Sequence, residues 1–403
     1  MQTIPYSKQS INEEDLEAVC SVLRSDWLTQ GPRAGEFEKA LSSQCGARHC
    51  ILVSNGTMAL HLACLALDMV PEDVGMTSPL SFLASAYCIT LCGGKVDFAD
   101  IDPKTLCLSP KKVEEYCENH SIPKVVIPVD FAGVPADMPK FRVLSVRYGF
   151  KLIEDAAHAI GSTYTYDGNA YACGSCAHTD MAVFSFHPVK TITTGEGGAV
   201  LTNDDQLAEK LRHLANHGIE RDPSKFTNPT AATHNPNSFP SWYYEMQSLG
   251  YNGRITDIQS ALGLSQLKRL KQFKARRQEI VRHYNLALRE LEEKQIVTLP
   301  PWPDGTDPCY HLYPLRLGPG CRIHRDELFH RLREKGINGQ VHYIPIYRQP
   351  FYQKDYHFKP GQFPETERYF TSCLSLPLFP DMDEEVFQYV VKALHSILNP
   401  EII

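Results

Sequence analysis

The sequence predicts an α/β protein with a large, mostly parallel-sheet domain followed by a smaller α+β domain. Two observations predict it. Short, continuously apolar runs alternate with helical patterns through the first 250 residues or so, as expected for strands buried on both faces and joined by crossover helices. After about residue 220 the texture changes to a proline-punctuated excursion and then one long helical stretch. At 403 residues, with 43% hydrophobic and 22% charged, the chain is long enough for a large core and two domains.

The strand candidates, in order, are HCILVS (49–54), KVDFAD (95–100), KVVIPVD (124–130), KLIED (151–155), MAVFSF (181–186) and GAVLTN (198–203). Helical patterns such as TMALHLACLALD (57–68) and KFRVLSVRYG (140–149) lie between them. The alternation calls for parallel strands with crossover helices. The segment 222–242 reads as a long polar excursion, and 256–291 as a helical arm into the second domain. The boundary is set accordingly, with residues 1–255 in the large domain and 256–403 in the small one. The last hundred residues mix short strands (CYHLYPLRL, VHYIPIY) with helices (RDELFHRLREKG, DEEVFQYVVKALHSIL).

Composition excludes several function classes. A net charge of −7 with interspersed signs gives no nucleic-acid surface. No run of 18 apolar residues offers a membrane span, and the amino-terminal MQTIPYSKQS has no signal-peptide core, so a cytoplasmic protein is expected. The thirteen cysteines are scattered, which fits reduced thiols. Cys173 and Cys176 form a CxxC with His178 nearby, but a structural zinc site needs four ligands and no second CxxC exists. They are read as ordinary thiols in a surface loop, with a metal or redox pair as the alternatives, and no metal is expected.

Ligands of parallel α/β sheets collect at the carboxyl ends of the strands. There the sequence places Asn55-Gly56-Thr57 opening a helix, Ser81-Phe82 at another helix start, Asp155 with His158 three residues on, and Ser185, His187 and Lys190. Amides at a helix start bind anions. Together these residues give an anion cradle, an aromatic plate, a carboxylate and an amine, the set that pyridoxal 5′-phosphate requires. The pattern also admits a nucleotide or another phosphate ligand, and each residue alone has an ordinary structural reading as cap, turn, core or solvated side chain.

Three blocks carry a resemblance: EDAAHAIGS (154–162), AVFSFHPVKTITTGEGGAVLTND (182–204) and GYNGRITDIQSALGLSQL (250–267). In order and spacing they resemble the DegT-type sugar aminotransferases, fold-type-I pyridoxal-phosphate enzymes, over nearly the whole chain. Within that family, IPYS, SDWLTQGP (25–32) and VHYIPIYRQPFYQ (341–353) most resemble the C4 aminotransferases of the pseudaminic acid pathway. The resemblance implies that Lys190 is the Schiff-base lysine and Asp155 the partner of the pyridine nitrogen. It implies that His158 lies near the phenolic oxygen, that Gly56, Thr57 and Ser185 bind the phosphate, and that Phe82 stacks on the ring. It also implies that Asn252 reaches the phosphate in a neighbouring subunit, which makes the protein a homodimer. Tyr6, Trp27, His342 and Tyr343 fall in segments that in the family lie near the nucleotide sugar.

The implied activity is amino transfer from L-glutamate to C4 of a UDP-linked 4-keto-6-deoxy-N-acetylhexose. The alternatives are another nucleotide-linked keto-sugar or a non-catalytic regulator that binds cofactor or sugar nucleotide. Relatives that dehydrate sugars carry histidine in place of the lysine, and Lys190 argues against that chemistry. Two departures stand out: LANHG lacks the arginine that often precedes the pair here found as His217-Gly218, and the 222–242 excursion is long and proline-rich. Both bear on substrate recognition, and neither touches the cofactor set.

Overall fold

The computed structural model describes residues 3–228, 239–359 and 361–398. Residues 229–238 of the 222–242 excursion lie outside them. A seven-stranded sheet forms the centre. Its strands are β1 (His49–Val53), β2 (Val74–Thr77), β3 (Lys95–Phe98), β4 (Val125–Ile127), β5 (Lys151–Asp155), β8 (Met181–Ser185) and β9 (Gly198–Thr202), in the order β1-β9-β8-β5-β4-β2-β3. Two further strands, β6 (Thr163–Tyr166) and β7 (Asn169–Ala172), make a hairpin between β5 and β8. Strands β3, β2, β4, β5 and β8 pair in parallel, and β9 runs antiparallel to both β8 and β1.

Helices precede and cross the sheet: α1 (Glu13–Leu23), α2 (Pro32–Cys45), α3 (Gly56–Ala66), α4 (Ala84–Leu91), α5 (Pro110–Asn119), α6 (Met138–Tyr148) and α7 (Asp205–Ala215). Successive strand residues serve opposite faces, as the pleat requires. Cys50, Leu52, Leu152, Ala182 and Phe184 join one core with Phe37 and Leu41, while Ile51, Val53, Ile153, Met181 and Val183 join another with Leu60 and Leu62. This double-sided burial makes the strands read as unbroken apolar runs. The short β2 carries no such signature. Its Gly75 leaves room for Ile89 of α4, which a Cβ there would meet at 2.7 Å.

Beyond residue 255 come α8 (Asp257–Lys268), α9 (Leu270–Ala287) and α10 (Arg289–Glu293), then α11 (Arg325–Glu334), α12 (Pro350–Tyr356), α13 (Pro364–Ser372) and α14 (Glu384–Leu398). The ribbon β10 (Ile219–Glu220) and β11 (Glu245–Met246) flanks the excursion. β12 (Val297–Thr298), β14 (Tyr313–Leu317) and β15 (Cys373–Leu376) form a small sheet, and β13 (Thr306–Asp307) pairs with β6. Ile280, Tyr284, Leu315, Leu332, Leu374 and Leu394 close a third core there. The helical stretch 256–291 is broken at Arg269 and Leu288 rather than continuous. Buried Asp257 fixes the start of α8 against α2 by accepting the amides of Gly31 and Arg33, each at 2.7 Å.

Two expectations are corrected. The segment VHYIPIY is not a strand: residues 341–345 are irregular and 346–348 form a short 3-10 turn. Pro345 has no amide to give a ladder. Cys173 and Cys176 do not lie in a surface loop, being 1% and 6% exposed. The Cys173 amide donates to the Ser162 carbonyl at 3.0 Å, and the Cys176 thiol to that of Leu201 at 3.3 Å. Among the described residues no helix is long and apolar enough to cross a membrane.

Candidate active site

The carboxyl ends of β1, β5 and β8 open on a cavity of about 640 Å³. Its lining includes Tyr6, Gly56, Thr57, Phe82, Asp155, His158, Ser185, Lys190, His342 and Tyr343. Sequence neighbours contribute to different walls because turns at the strand ends redirect the chain toward one space.

Asp155, the last residue of β5, is 4% exposed. Its Oδ2 accepts the Ser85 hydroxyl at 2.6 Å and its Oδ1 the Ala157 amide at 3.2 Å. Ser85 has one hydroxyl proton and gives it to the carboxylate, so in the 2.7 Å contact between Ser81 and Ser85 it is Ser81 that donates. Burial lifts the Asp155 carboxyl above its ordinary value, while Ser85, Ala157 and the charge of Lys190 pull it back.

Lys190 sits in the turn after β8, where its amide donates to the His187 carbonyl at 2.9 Å. The rest of that loop is fixed by hydroxyls. Thr193 Oγ1 donates to the Phe186 carbonyl at 2.9 Å and accepts the Gly195 amide at 2.9 Å, and Thr194 Oγ1 donates to the Glu196 carbonyl at 2.7 Å. Burial pushes the Lys190 amine down to about 8, with Asp155 opposing. At pH 7 roughly a tenth of such an amine is neutral, against well under a thousandth for an ordinary lysine.

Helix α3 begins at the cavity. Asn55 caps it, its side chain accepting the Met58 amide at 2.8 Å, so the amides of Gly56 and Thr57 belong to the unsatisfied first turn of a helix. Glycine is required at 56, where a Cβ would lie 2.9 Å from that of Ser185. The cradle of amides and the Ser185 hydroxyl exists because two backbones approach this closely.

The opposite wall is aromatic and basic. His158 is buried and neutral, its imidazole held well below the usual value by burial and then by the charge of Lys190. The Ala132 amide donates to its Nδ1 at 3.3 Å, which leaves the one ring proton on Nε2, 3.2 Å from the Tyr343 hydroxyl. Tyr343 lies 6.1 Å from half-exposed Phe82, ring to ring. His342 is pushed down to about 3 by burial and Lys190, and its Nδ1 meets the Ser375 hydroxyl at 2.9 Å. Tyr6 packs on His342 with ring centroids 5.0 Å apart.

Ten of the twelve residues singled out in sequence thus share one cavity. Trp27 and Asn252 are not on its lining. Trp27 is 56% exposed. Asn252 is exposed on a short bridge to Asn216, next to Gly253, whose carbonyl accepts the Ser54 amide at 2.7 Å. Sequence reasoning missed Ser85. The signal for it is the i, i+4 pair of serines in SFLASAY, one just before α4 and one in its first turn.

A model of the DegT/DnrJ/EryC1/StrS aminotransferase family matches residues 9–395. The spore coat polysaccharide biosynthesis protein SpsC of Bacillus subtilis (strain 168) is 36% identical over 398 residues, covering 98% of this chain and 97% of SpsC. Helicobacter pylori PseC, an aminotransferase involved in the biosynthesis of pseudoaminic acid, superposes with a TM-score of 0.86 at 28% identity, covering 99% of this chain and 100% of PseC. Streptococcus pneumoniae Spr1654 in its PLP form gives 0.85 at 25% identity, with 99% of each chain covered.

The Asp155–Ser85 contact has a measurable consequence. Ser85→Ala leaves a buried carboxylate oxygen without its donor, so stability falls by about 1–3 kcal/mol. Urea unfolding of the two purified proteins reads the difference, and an unchanged midpoint contradicts the contact.

Proposed function

The chain belongs to the DegT/DnrJ/EryC1/StrS aminotransferase family and is a pyridoxal-phosphate-dependent sugar aminotransferase, and from that premise we propose that it aminates C4 of a UDP-linked 4-keto-6-deoxy-N-acetylhexose with L-glutamate as donor. The proposed setting is nonulosonic (pseudaminic) acid biosynthesis, as a cytoplasmic homodimer. The observation that carries the catalytic reading is the pair across the cavity, an amine lowered to about 8 in sight of a buried carboxylate. The likeness to PseC over 99% of the chain supports the sugar. The greater sequence identity to SpsC supports a second reading, another nucleotide-linked keto-sugar on the same site.

The residues present fit the cofactor. Gly56, Thr57 and Ser185 are proposed to hold its phosphate, Asp155 its ring nitrogen, His158 its phenolic oxygen through the Nε2 proton, and Phe82 one ring face. When bound, the cofactor supplies an aldehyde for amines and a ring that spreads the electrons left when a C–H proton is removed. Lys190 is both the point of attachment and, once free, the base that would move a proton from the α carbon of glutamate to the cofactor's C4′. In the second half-reaction it would move one from C4′ to the sugar's C4. Asp155 keeps a negative charge where the ring nitrogen lies, so the ring stays protonated. Tyr6, His342 and Tyr343 are proposed for the nucleotide sugar, with Trp27 at its outer edge. Remote contacts to a diphosphate and base orient the ketone.

Borohydride treatment of the yellow holoenzyme should fix the cofactor to Lys190, read by peptide mass. In the apoenzyme, capture of added pyridoxal phosphate should accelerate as pH rises through about 8 rather than about 10. Labelling at another lysine sinks the assignment. His342→Ala should raise KM for the nucleotide sugar at least tenfold and leave the half-reaction with glutamate nearly intact. In a panel of UDP-, dTDP-, CDP- and GDP-linked ketones the UDP sugar should lead, and faster turnover of another nucleotide would retire the pathway reading in favour of the second one.

The exposed Asn252 is proposed to reach the phosphate of a second subunit. Asn252→Ala and Lys190→Ala parents should each be nearly inactive, and mixing them should recover activity, because one site of the hybrid then holds both side chains. No recovery, or a fully active monomer by sizing, counts against shared sites.

A further inference from the structure

Glu154 precedes Asp155 on β5 and therefore points to the other face of the sheet, away from the cavity. It is 2% exposed, and Asp130, after β4, is 0% exposed. Glu154 Oε2 accepts the Gly174 amide at 3.1 Å, and Asp130 Oδ1 accepts the Ala136 amide at 2.8 Å. The second oxygen of each, Glu154 Oε1 and Asp130 Oδ2, is buried without a hydrogen-bond partner. A carboxylate oxygen of each residue and the Cys173 sulfur lie within 4.8 Å of one another. Two such acceptors side by side in a dry interior are unstable if both are ionised, because charge then faces charge with no donor between them.

Four things could satisfy them: a cation side chain, a metal ion, the Cys173 thiol, which is a weak donor with one hydrogen for two oxygens, or a proton between them. The groups that act on the pair are Asp155 from β5, Tyr164 from β6, Cys173 and Cys176 after β7, Cys45 at the end of α2 and Cys107 before α5. None is a cation. The thiols and the phenol are all pushed up by burial first, so they stay neutral. A hard cation needs six or more oxygens, a structural zinc needs four protein ligands where this cluster supplies three, and amides already occupy one oxygen of each carboxyl here. A proton needs one donor and one acceptor, and the two free oxygens are that number.

We infer that Asp130 and Glu154 share a single proton, and that this pair is a positioning device beneath the active site. Two carboxyls this close cannot both ionise in a dry site, and sharing a proton converts their repulsion into a hydrogen bond. Burial raises both carboxyls above their ordinary range. The pair then holds two things still. Asp130 heads the turn 131–133, whose Ala132 amide donates to His158 Nδ1 and whose Ala132 carbonyl accepts the His311 amide at 2.9 Å. The shared proton also removes one negative charge from the neighbourhood of Asp155, so the carboxylate facing the cavity is easier to keep ionised. These two consequences rest on the function proposed above, whereas the proton does not.

The sign of the pH effect is fixed by the raised values. Unfolded carboxyls have released their protons by about pH 5, while the folded pair still holds one. Stability from the pair is therefore lost as pH rises above about 5, through the raised range in which the folded pair gives up its shared proton. Over that window the folding equilibrium constant of the wild type should fall about tenfold per pH unit relative to Asp130→Asn, in which an amide supplies the donor without titrating. Infrared spectra of the full-length protein at pH 7 should show a protonated-carboxyl band that moves in D2O and is missing in Asp130→Asn and in Glu154→Gln. Glu154→Gln keeps the test open should Asp130→Asn not fold. The proposal is overturned by a wild type without the band, by a band and pH slope that both substitutions leave unchanged, or by one equivalent of co-purifying metal whose chelation exposes the pair. Neither readout uses activity, so its failure is separable from a failure of borohydride labelling at Lys190.

Discussion

The site depends on keeping a carboxylate charged at the floor of a dry cavity. Asp155 is buried by the strands that carry it, and burial alone favours its neutral form. Three separate elements oppose that tendency: the Ser81–Ser85 relay at the start of α4, the Ala157 amide in the turn after β5, and the amine of Lys190 across the cavity. The same burial drives Lys190 toward its neutral form. The two groups are therefore poised in opposite senses by one environment, the usual mark of a site built for proton transfer. Removing water from the cavity strengthens both tendencies.

A single antiparallel strand delivers the rest. Because β9 returns beside β8, the loop between them is forced to the carboxyl edge, and Lys190 rides on it. The same return presses Gly198 against the start of α3, where a Cβ would meet the Asn55 carbonyl carbon and oxygen at 2.6 Å. Gly56 faces Ser185 as closely. Glycines at both positions let two backbones touch, and the amides of α3 then open onto the cavity beside the Ser185 hydroxyl. Amine and anion cradle are thus consequences of the same chain reversal.

Much of this was legible in the sequence, for physical reasons. Double-sided burial prints strands as apolar runs, and the six runs singled out contain β1, β3, β4, β5, β8 and β9. Strand ends carry the site, so Asp155, Ser185 and Lys190 could be placed by position. What failed had no local signature. β2 is four residues long and holds a glycine, and β6 and β7 lie on a partly exposed hairpin. VHYIPIY has the composition of a strand, but Pro345 and its packing against Tyr6 and Ser375 decide otherwise. The burial of Cys173 and Cys176 comes from tertiary packing under β9 and could not be read from CxxC spacing. Ser85 became visible only when α4 was laid against β5.

The histidines around Lys190 complete the logic. His158, His311 and His342 are all buried, and all are held below their ordinary values by burial first and by the lysine charge next. His158 and His311 pack with ring centroids 4.5 Å apart, which two cations could not do. The neutral rings of His158 and His342 are tied to fixed partners, Ala132, Tyr343 and Ser375, so they orient neighbours. His158 keeps its proton on Nε2 because the Ala132 amide occupies Nδ1, and that amide is held by a turn anchored at Asp130. Lys190, lowered by burial to about 8, stands among these neutral rings. The same burial that silences the three imidazoles brings the amine toward the range where it can exchange a proton near neutral pH.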